Sequence, residues 1–255
     1  MAYILVTNDD GVFAPGLLAL AEALRSLGTV EVAAPATNQS ASGHKKTLFA
    51  PIPYEEVTLA NGLSALSVSG SPADCIAVSA MGLRPWPPDL VVSGINRGEN
   101  LSQDVTYSGT VTAALEATIN GAPALAVSLA NRNADAVEDY AEAARVAAHV
   151  ARIVLQRGLP PLTILNLNVP NLPRVRGLQL TRQGTRLYRD QMERGEGFVR
   201  IVGDPPSGTV DELGTDLWAV HQGYASLTPI HLDMTAHRFL ADLAAWDVRL
   251  DGGAG

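Results

Sequence analysis

The chain has 255 residues, 47% of them hydrophobic and 17% charged, with a single cysteine, Cys75. That composition excludes a disordered, fibrous or disulfide-stapled protein, and the length suffices to bury about three quarters of the unfolded surface. Asp plus Glu outnumber Lys plus Arg by 26 to 18, a formal charge of −8, which argues against long nucleic acids as partners because their recognition needs many cationic phosphate contacts.

The first seven residues lack the basic leader of a secretory signal, and no later stretch is long and apolar enough to span a bilayer; the expectation is a cytoplasmic protein without a membrane partner. Residues 3–7 read as a buried strand, and residues 15–27 (PGLLALAEALRSL) as an amphipathic helix closed by Gly28. Strands follow at 30–35, 64–69 and 89–93, with a helix at 72–82. Next come a helix at 108–120, a strand at 124–129, a long helix at 134–157 and a strand at 162–168. This alternation predicts an α/β fold with a mainly parallel sheet and helices on both faces.

The last third differs. Residues 177–202 hold many arginines among turn residues and read as strands of a hairpin or arm, and residues 205–208 as a turn. Residues 216–233 alternate like an antiparallel pair, 235–246 suit a closing helix, and 251–255 a frayed tail. A single domain is expected, with 1–170 as its core and 171–255 as a C-terminal arm and oligomerisation segment.

In open parallel sheets, ligands bind where loops and helix starts converge at the carboxyl ends of strands. The unusual polar residues fall there: Asn8-Asp9-Asp10-Gly11, the loop Asn38-Gln39-Ser40-Ala41-Ser42-Gly43-His44, and the stretch from Ser93 to Asn100 containing Asn96. Adjacent Asp9 and Asp10 repel each other unless a cation lies between them, although Asp-Asp-Gly also suits a plain turn with a helix cap. With Ser40 and Asn96 as further oxygen donors, the set selects Mg²⁺, Mn²⁺ or Ca²⁺ rather than zinc. Ser108-Gly109-Thr110 opens a helix with no acidic residue three positions beyond Ser108, so its start suits either a phosphate or ordinary capping by Ser108.

Neither Gly-x-x-x-x-Gly-Lys-Ser/Thr nor Gly-x-Gly-x-x-Gly occurs after the first strand, which leaves nucleoside-triphosphate hydrolysis and dinucleotide binding unsupported. Adjacent aspartates also differ from the alternating Asp-x-Asp of aspartyl-phosphate enzymes. His44 lies close enough in sequence to reach the site, whereas His149, His221, His231 and His237 show no ligand spacing. Cys75 reads as a small core residue. Lys45 and Lys46, the two lysines of the chain, suit either anion attraction or an exposed strand edge. Arginines 174, 176, 182, 186, 189, 194 and 200, spread among Asp190, Glu193 and Glu196, fit a solvated arm or a subunit contact better than a nucleic-acid patch.

Taken together, these motifs resemble a known family. Val6 to Gly11, Ala34-Pro35 with Asn38 to His44, Gly70 to Cys75, Ser93 to Asn100, Tyr107 to Val111, and Gly214-Thr215-Asp216 with Gly223 to Pro229 look like the successive motifs of the SurE family of stationary-phase survival proteins and nucleotidases. The resemblance implies a Rossmann-like three-layer sandwich with a C-terminal β-hairpin arm and terminal helix. It also implies a nucleotidase that hydrolyses nucleoside 5′- or 3′-monophosphates by attack of metal-activated water, with short polyphosphate as a side substrate. One divalent ion per subunit, Mg²⁺ or Mn²⁺, would sit on Asp9, Asp10, Ser40 and Asn96. Phosphate would sit on Asn100, Ser108, Gly109 and Thr110, with Asp9 or Asp10 as proton acceptor. Family members form homodimers or homotetramers with exchanged C-terminal segments. Ala36 and the Lys45-Lys46 pair depart from the pattern without removing a ligand. A non-catalytic nucleotide sensor and a nucleotide-dependent transferase are the alternatives on the same sheet.

Overall fold

The computed structural model describes residues 1–203, 206–246 and 248. Its first half contains β1 (Ala2–Thr7), α1 (Pro15–Leu24), β2 (Gly28–Pro35), β3 (Tyr54–Thr58), β4 (Ser64–Val68), α2 (Pro72–Val78), β5 (Leu90–Arg97) and α3 (Gly109–Ile119). After these come β6 (Ala124–Ala130), α4 (Ala141–Arg157), β7 (Thr163–Pro170), β8 (Leu178–Leu180), β9 (Arg186–Leu187), β10 (Asp190–Gly195) and β11 (Phe198–Gly203). The chain closes with β12 (Ser207–Gly208), α5 (Asp216–His221), β13 (Ala225–His231) and α6 (His237–Leu243). Nine strands form one sheet in the order β3-β4-β2-β1-β5-β6-β7-β13-β8. The six from β4 to β7 in that order run parallel, while β3 and β13 join antiparallel.

Alternation along β1 produces the three layers. Ile4 and Val6 face a cluster holding Leu17 and Leu20 of α1 with Val146 and Val150 of α4. Leu5 faces the opposite cluster, with Ile76 of α2 and Val111 and Leu115 of α3. Each of these fully buried leucines stabilises the fold by about 2 kcal/mol. β2 and β5 flank β1 on opposite sides, so the strand order reverses at β1 and a crevice opens beyond its carboxyl end.

Several sequence expectations need correction. β5 runs on to Arg97, past a register shift between Ser93 and Asn96, which puts Asn96 in the ladder rather than in a loop. β3 escaped the pattern because Glu55 and Glu56 make an exposed, acidic edge strand. The span 216–233 is not an antiparallel pair: Thr215 accepts from the Trp218 amide, caps α5, and leaves β13 alone to pair with β7 and β8. The helix expected at 134–157 opens with a 3₁₀ turn over Val137–Tyr140 before α4 begins. That expected at 72–82 is α2 followed by a π-helical turn, Ser79–Leu83. After residue 170 the chain returns to the sheet through β8 and β13, while β10 and β11 form the expected hairpin. The expected turn at 205–208 lies partly, and the tail at 251–255 wholly, outside the described residues.

Candidate active site at the strand crossover

At the end of β1, Asn8 closes a tight turn: its Nδ2 donates to the Gly11 carbonyl at 2.8 Å, and the Gly11 amide donates back to its Oδ1 at 3.3 Å. The turn leaves Asp9 and Asp10 side by side. Asp9 is buried, and Thr110 of α3 donates its N–H to Oδ2 at 3.1 Å and its hydroxyl to Oδ1 at 2.5 Å. Burial raises the Asp9 pKa to about 6, against the Thr110 bonds and with the Asp10 charge adding to the rise. Burial also pushes Asp10 up, opposed by the Arg97 amide on its Oδ2 at 3.0 Å, the Arg97 charge, and Asn38 on its Oδ1 at 3.2 Å.

Asn38 extends this arrangement into the next loop, because its Oδ1 also accepts from the Ser40 amide at 2.9 Å. Asn96 donates its Nδ2 to the Gly98 carbonyl at 2.7 Å, which leaves its Oδ1 as an acceptor. Asp9, Asp10, Ser40 and Asn96 all line one cleft of about 420 Å³, together with Asn100, Tyr107 and Ser108. The four loops singled out in the sequence thus meet. No group of three or more His, Cys, Asp or Glu gathers among the described residues, so a cation here needs neutral oxygens beside the two carboxylates.

The phosphate candidates divide. Asn100 and Ser108 line the cleft. Ser108 also caps α3, accepting from the Val111 amide at 3.1 Å. Gly109 and Thr110 lie behind Asp9 instead. A Cβ at Gly109 would approach the Asp9 Cβ to 2.8 Å, so glycine is what lets α3 start so close to the carboxylate. Both Thr110 donors are committed to Asp9, which makes Thr110 a support for that carboxylate in this structure.

The Survival protein SurE family model matches residues 4–190. The 5′-nucleotidase SurE of Chloroflexus aggregans is 46% identical over 252 residues, covering 96% of this chain and 99% of its own. That of Geobacter sulfurreducens is 48% identical, covering 96% and 94%. The chain belongs to the SurE family. The crystal structure of the SurE protein from Aquifex aeolicus superposes with a TM-score of 0.82 at 39% identity, over 94% of this chain and 98% of that one.

Within this SurE fold, several supports of the cleft were not legible in the sequence. Asn166 and Asn168 of β7 donate to the Asn100 carbonyl at 2.9 and 3.0 Å, and Asn168 Oδ1 accepts the Asn100 amide at 2.7 Å. Two amides on one face of an apolar strand are the signal that could have found them. Asp216, fully buried, accepts from the Ser102 and Gly184 amides at 2.7 and 2.8 Å and so ties the stretch after Asn100 to the C-terminal segment. Arg186 of β9 is buried between Glu99 at 2.7 Å and Asp104 at 2.9 Å, and Tyr188, which bonds Asp104, lines the cleft along with Arg132. His44 and Lys46 do not face the cleft but meet Glu116 on α3. Cys75 is buried, and burial pushes its thiol well up.

Proposed function

We propose that this chain is a divalent-metal-dependent nucleotidase that hydrolyses nucleoside 5′-monophosphates to nucleoside and phosphate in the cleft beyond β1 and β5. That it is a phosphoric monoester hydrolase follows from its family and from relatives named as 5′-nucleotidases over nearly their full length. The observation that carries the finer reading is the Asp9–Asp10 pair, two carboxylates whose pKa values burial raises at the mouth of one cleft. A cation between them removes the penalty of ionising both. Asp9, Asp10, the Ser40 hydroxyl and the Asn96 carbonyl oxygen form an all-oxygen donor set suited to one Mg²⁺ or Mn²⁺ per subunit. When bound, such an ion acidifies the attacking water and offsets phosphate charge.

The chain's own residues supply the rest. Thr110 fixes the direction of the Asp9 carboxylate. The α3 start adds its helix dipole at the cleft wall that Ser108 lines, and the Gly109 amide, set behind Asp9, has no protein acceptor among the described residues. Asn100, held through its backbone by β7 and with its Nδ2 donating to the Ser128 hydroxyl at 2.8 Å, lines the same cleft. Asp9 or Asp10 would take the proton from the attacking water. A cleft of about 420 Å³ accommodates a mononucleotide, and the same phosphate end would serve 3′-monophosphates and short polyphosphate.

The assembly is a homodimer or homotetramer with exchanged C-terminal segments. In support, Met192, Phe198, Val199 and Ile201 of the β10–β11 hairpin are exposed, and α6 has no buried residue. A cytoplasmic location fits the single free cysteine; no helix among the described residues is long and apolar enough to cross a membrane. A panel of 5′-AMP, 5′-GMP, 3′-AMP and tripolyphosphate with Mn²⁺ tests the reading. Free phosphate from the 5′-monophosphates without an acceptor is expected, and nucleotide bound but intact after hours would replace the enzyme with a sensor.

A further inference from the structure

One buried charge cluster lies outside the cleft, farther along α3. Glu116 sits about two turns beyond Ser108 and is only 4% exposed. Its Oε2 meets His44 Nε2 at 3.0 Å, and its Oε1 accepts from Lys46 Nζ at 2.8 Å and from Asn120 Nδ2 at 3.0 Å. Burial alone would raise this carboxyl, but the bonds from His44, Lys46 and Asn120 bring it down to about 2. Both His44 and Lys46 belong to the loop that carries Ser40.

That loop has few other ties to α3. The Gly43 carbonyl accepts from the Thr112 hydroxyl at 2.9 Å, and the Gly43 amide donates to the Tyr107 carbonyl at 3.0 Å. Farther along, Thr47 donates to Asp74 and the Lys45 carbonyl accepts from Ser71, which anchors the loop to α2 instead. The Ser40 amide donates to Asn38, and the neighbouring Gln39 amide donates to the Asp9 carbonyl at 2.7 Å. The loop is thus pinned to the end of β1 on one side of Ser40, and its contacts with α3 are what hold the other side.

We propose that Glu116 is a positioning residue for the metal-holding loop: by gripping His44 and Lys46 it seats the loop on α3 and fixes Ser40 relative to Asp9. This role rests on the metal reading above and assigns a task to the His44-Lys45-Lys46 stretch that the cleft leaves unused. Lys46, in this arrangement, neutralises Glu116 rather than attracting substrate.

The test uses the full chain, with Mn²⁺ affinity read directly from the electron paramagnetic resonance signal of free Mn²⁺. Glu116→Gln, and separately His44→Ala with Lys46→Met, are expected to weaken Mn²⁺ binding about tenfold each. The two sets combined should weaken it no further than either alone, and kcat at saturating Mn²⁺ should stay within about twofold of wild type. Hydrogen exchange at the Gly43 and Thr47 amides should rise in step. Should Glu116→Gln fail to fold, the other variant carries the test, because its side chains are 32% and 37% exposed. Wild-type Mn²⁺ affinity in the variants, even with a lowered Tm, overturns the positioning role alone if Asp9→Asn abolishes binding in parallel. A wild-type chain that binds no Mn²⁺ overturns the metal reading and this role together.

Discussion

Thr110 holds Asp9 with both of its donors, the backbone N–H on Oδ2 at 3.1 Å and the hydroxyl on Oδ1 at 2.5 Å. The pair joins the end of β1 to the start of α3 and leaves the carboxylate one orientation, facing the cleft. Thr110→Val keeps the amide and the shape but removes the hydroxyl, at a cost of about 1 to 2 kcal/mol in the bond lost. Steady-state kinetics on AMP should show kcat/KM lower by about tenfold, and Thr110→Ser should recover most of it.

Asp9 is a buried carboxylate whose folded pKa of about 6 lies above its ordinary 3.8. The folded chain then binds the proton more tightly than the unfolded one, so this group's contribution falls as pH rises from about 4 through 6 and remains unfavourable above. In chelator at about pH 8, Asp9→Asn should be more stable than wild type by on the order of 1 to 3 kcal/mol, although turnover is lost. Urea midpoints measured beside the activity assay check both halves; a variant that is less stable without metal would contradict the electrostatic account.

Glu116 has the opposite sign. Its folded pKa of about 2 lies below its ordinary 4.5, so its stabilisation is complete above about pH 4.5 and disappears as pH falls toward 2. Denaturant midpoints across that window should drop more steeply for wild type than for Glu116→Gln. Parallel curves would remove the ionic grip on His44 and Lys46.

Arg186 is buried between Glu99 and Asp104; its removal would leave Asp104 without its ion-pair partner and Glu99 with only the exposed Arg132 at 3.9 Å among the described residues. Arg186→Met should cost about 3 kcal/mol in stability. It should also raise KM for the nucleotide more than it lowers kcat, because Tyr188 bonds Asp104 at the rim of the cleft. Unfolding and kinetic measurements on one preparation separate the two effects.

The parallel core was legible because β1, β2, β5, β6 and β7 are short apolar runs separated by helices with their own periodicity. The ends of those runs also disclosed the cleft, since Asp9, Asp10, Ser40, Asn96, Asn100 and Ser108 all reached it. Thr110 was legible as a member of the site, but its bond to Asp9 was not, because a helix start offers its donors equally to a ligand and to a neighbouring strand end. Asn166 and Asn168 read simply as strand residues, since their partner Asn100 is distant along the chain. Tyr188 and Arg186 were hidden among the arginines of the C-terminal third, where strands of two or three residues leave no period to read. The α5 helix was missed because six residues after a Thr cap resemble an alternating strand as much as a helix.

The most direct measurement is phosphate release from AMP by the full chain, first stripped with EDTA and then resupplied with Mn²⁺ or Mg²⁺, beside Asp9→Asn under the same conditions. Turnover should vanish in chelator, return with the ion, and stay below about one hundredth of wild type in the variant at every ion concentration. Undiminished release in EDTA, or an active Asp9→Asn variant, would contradict a metal held at the end of β1.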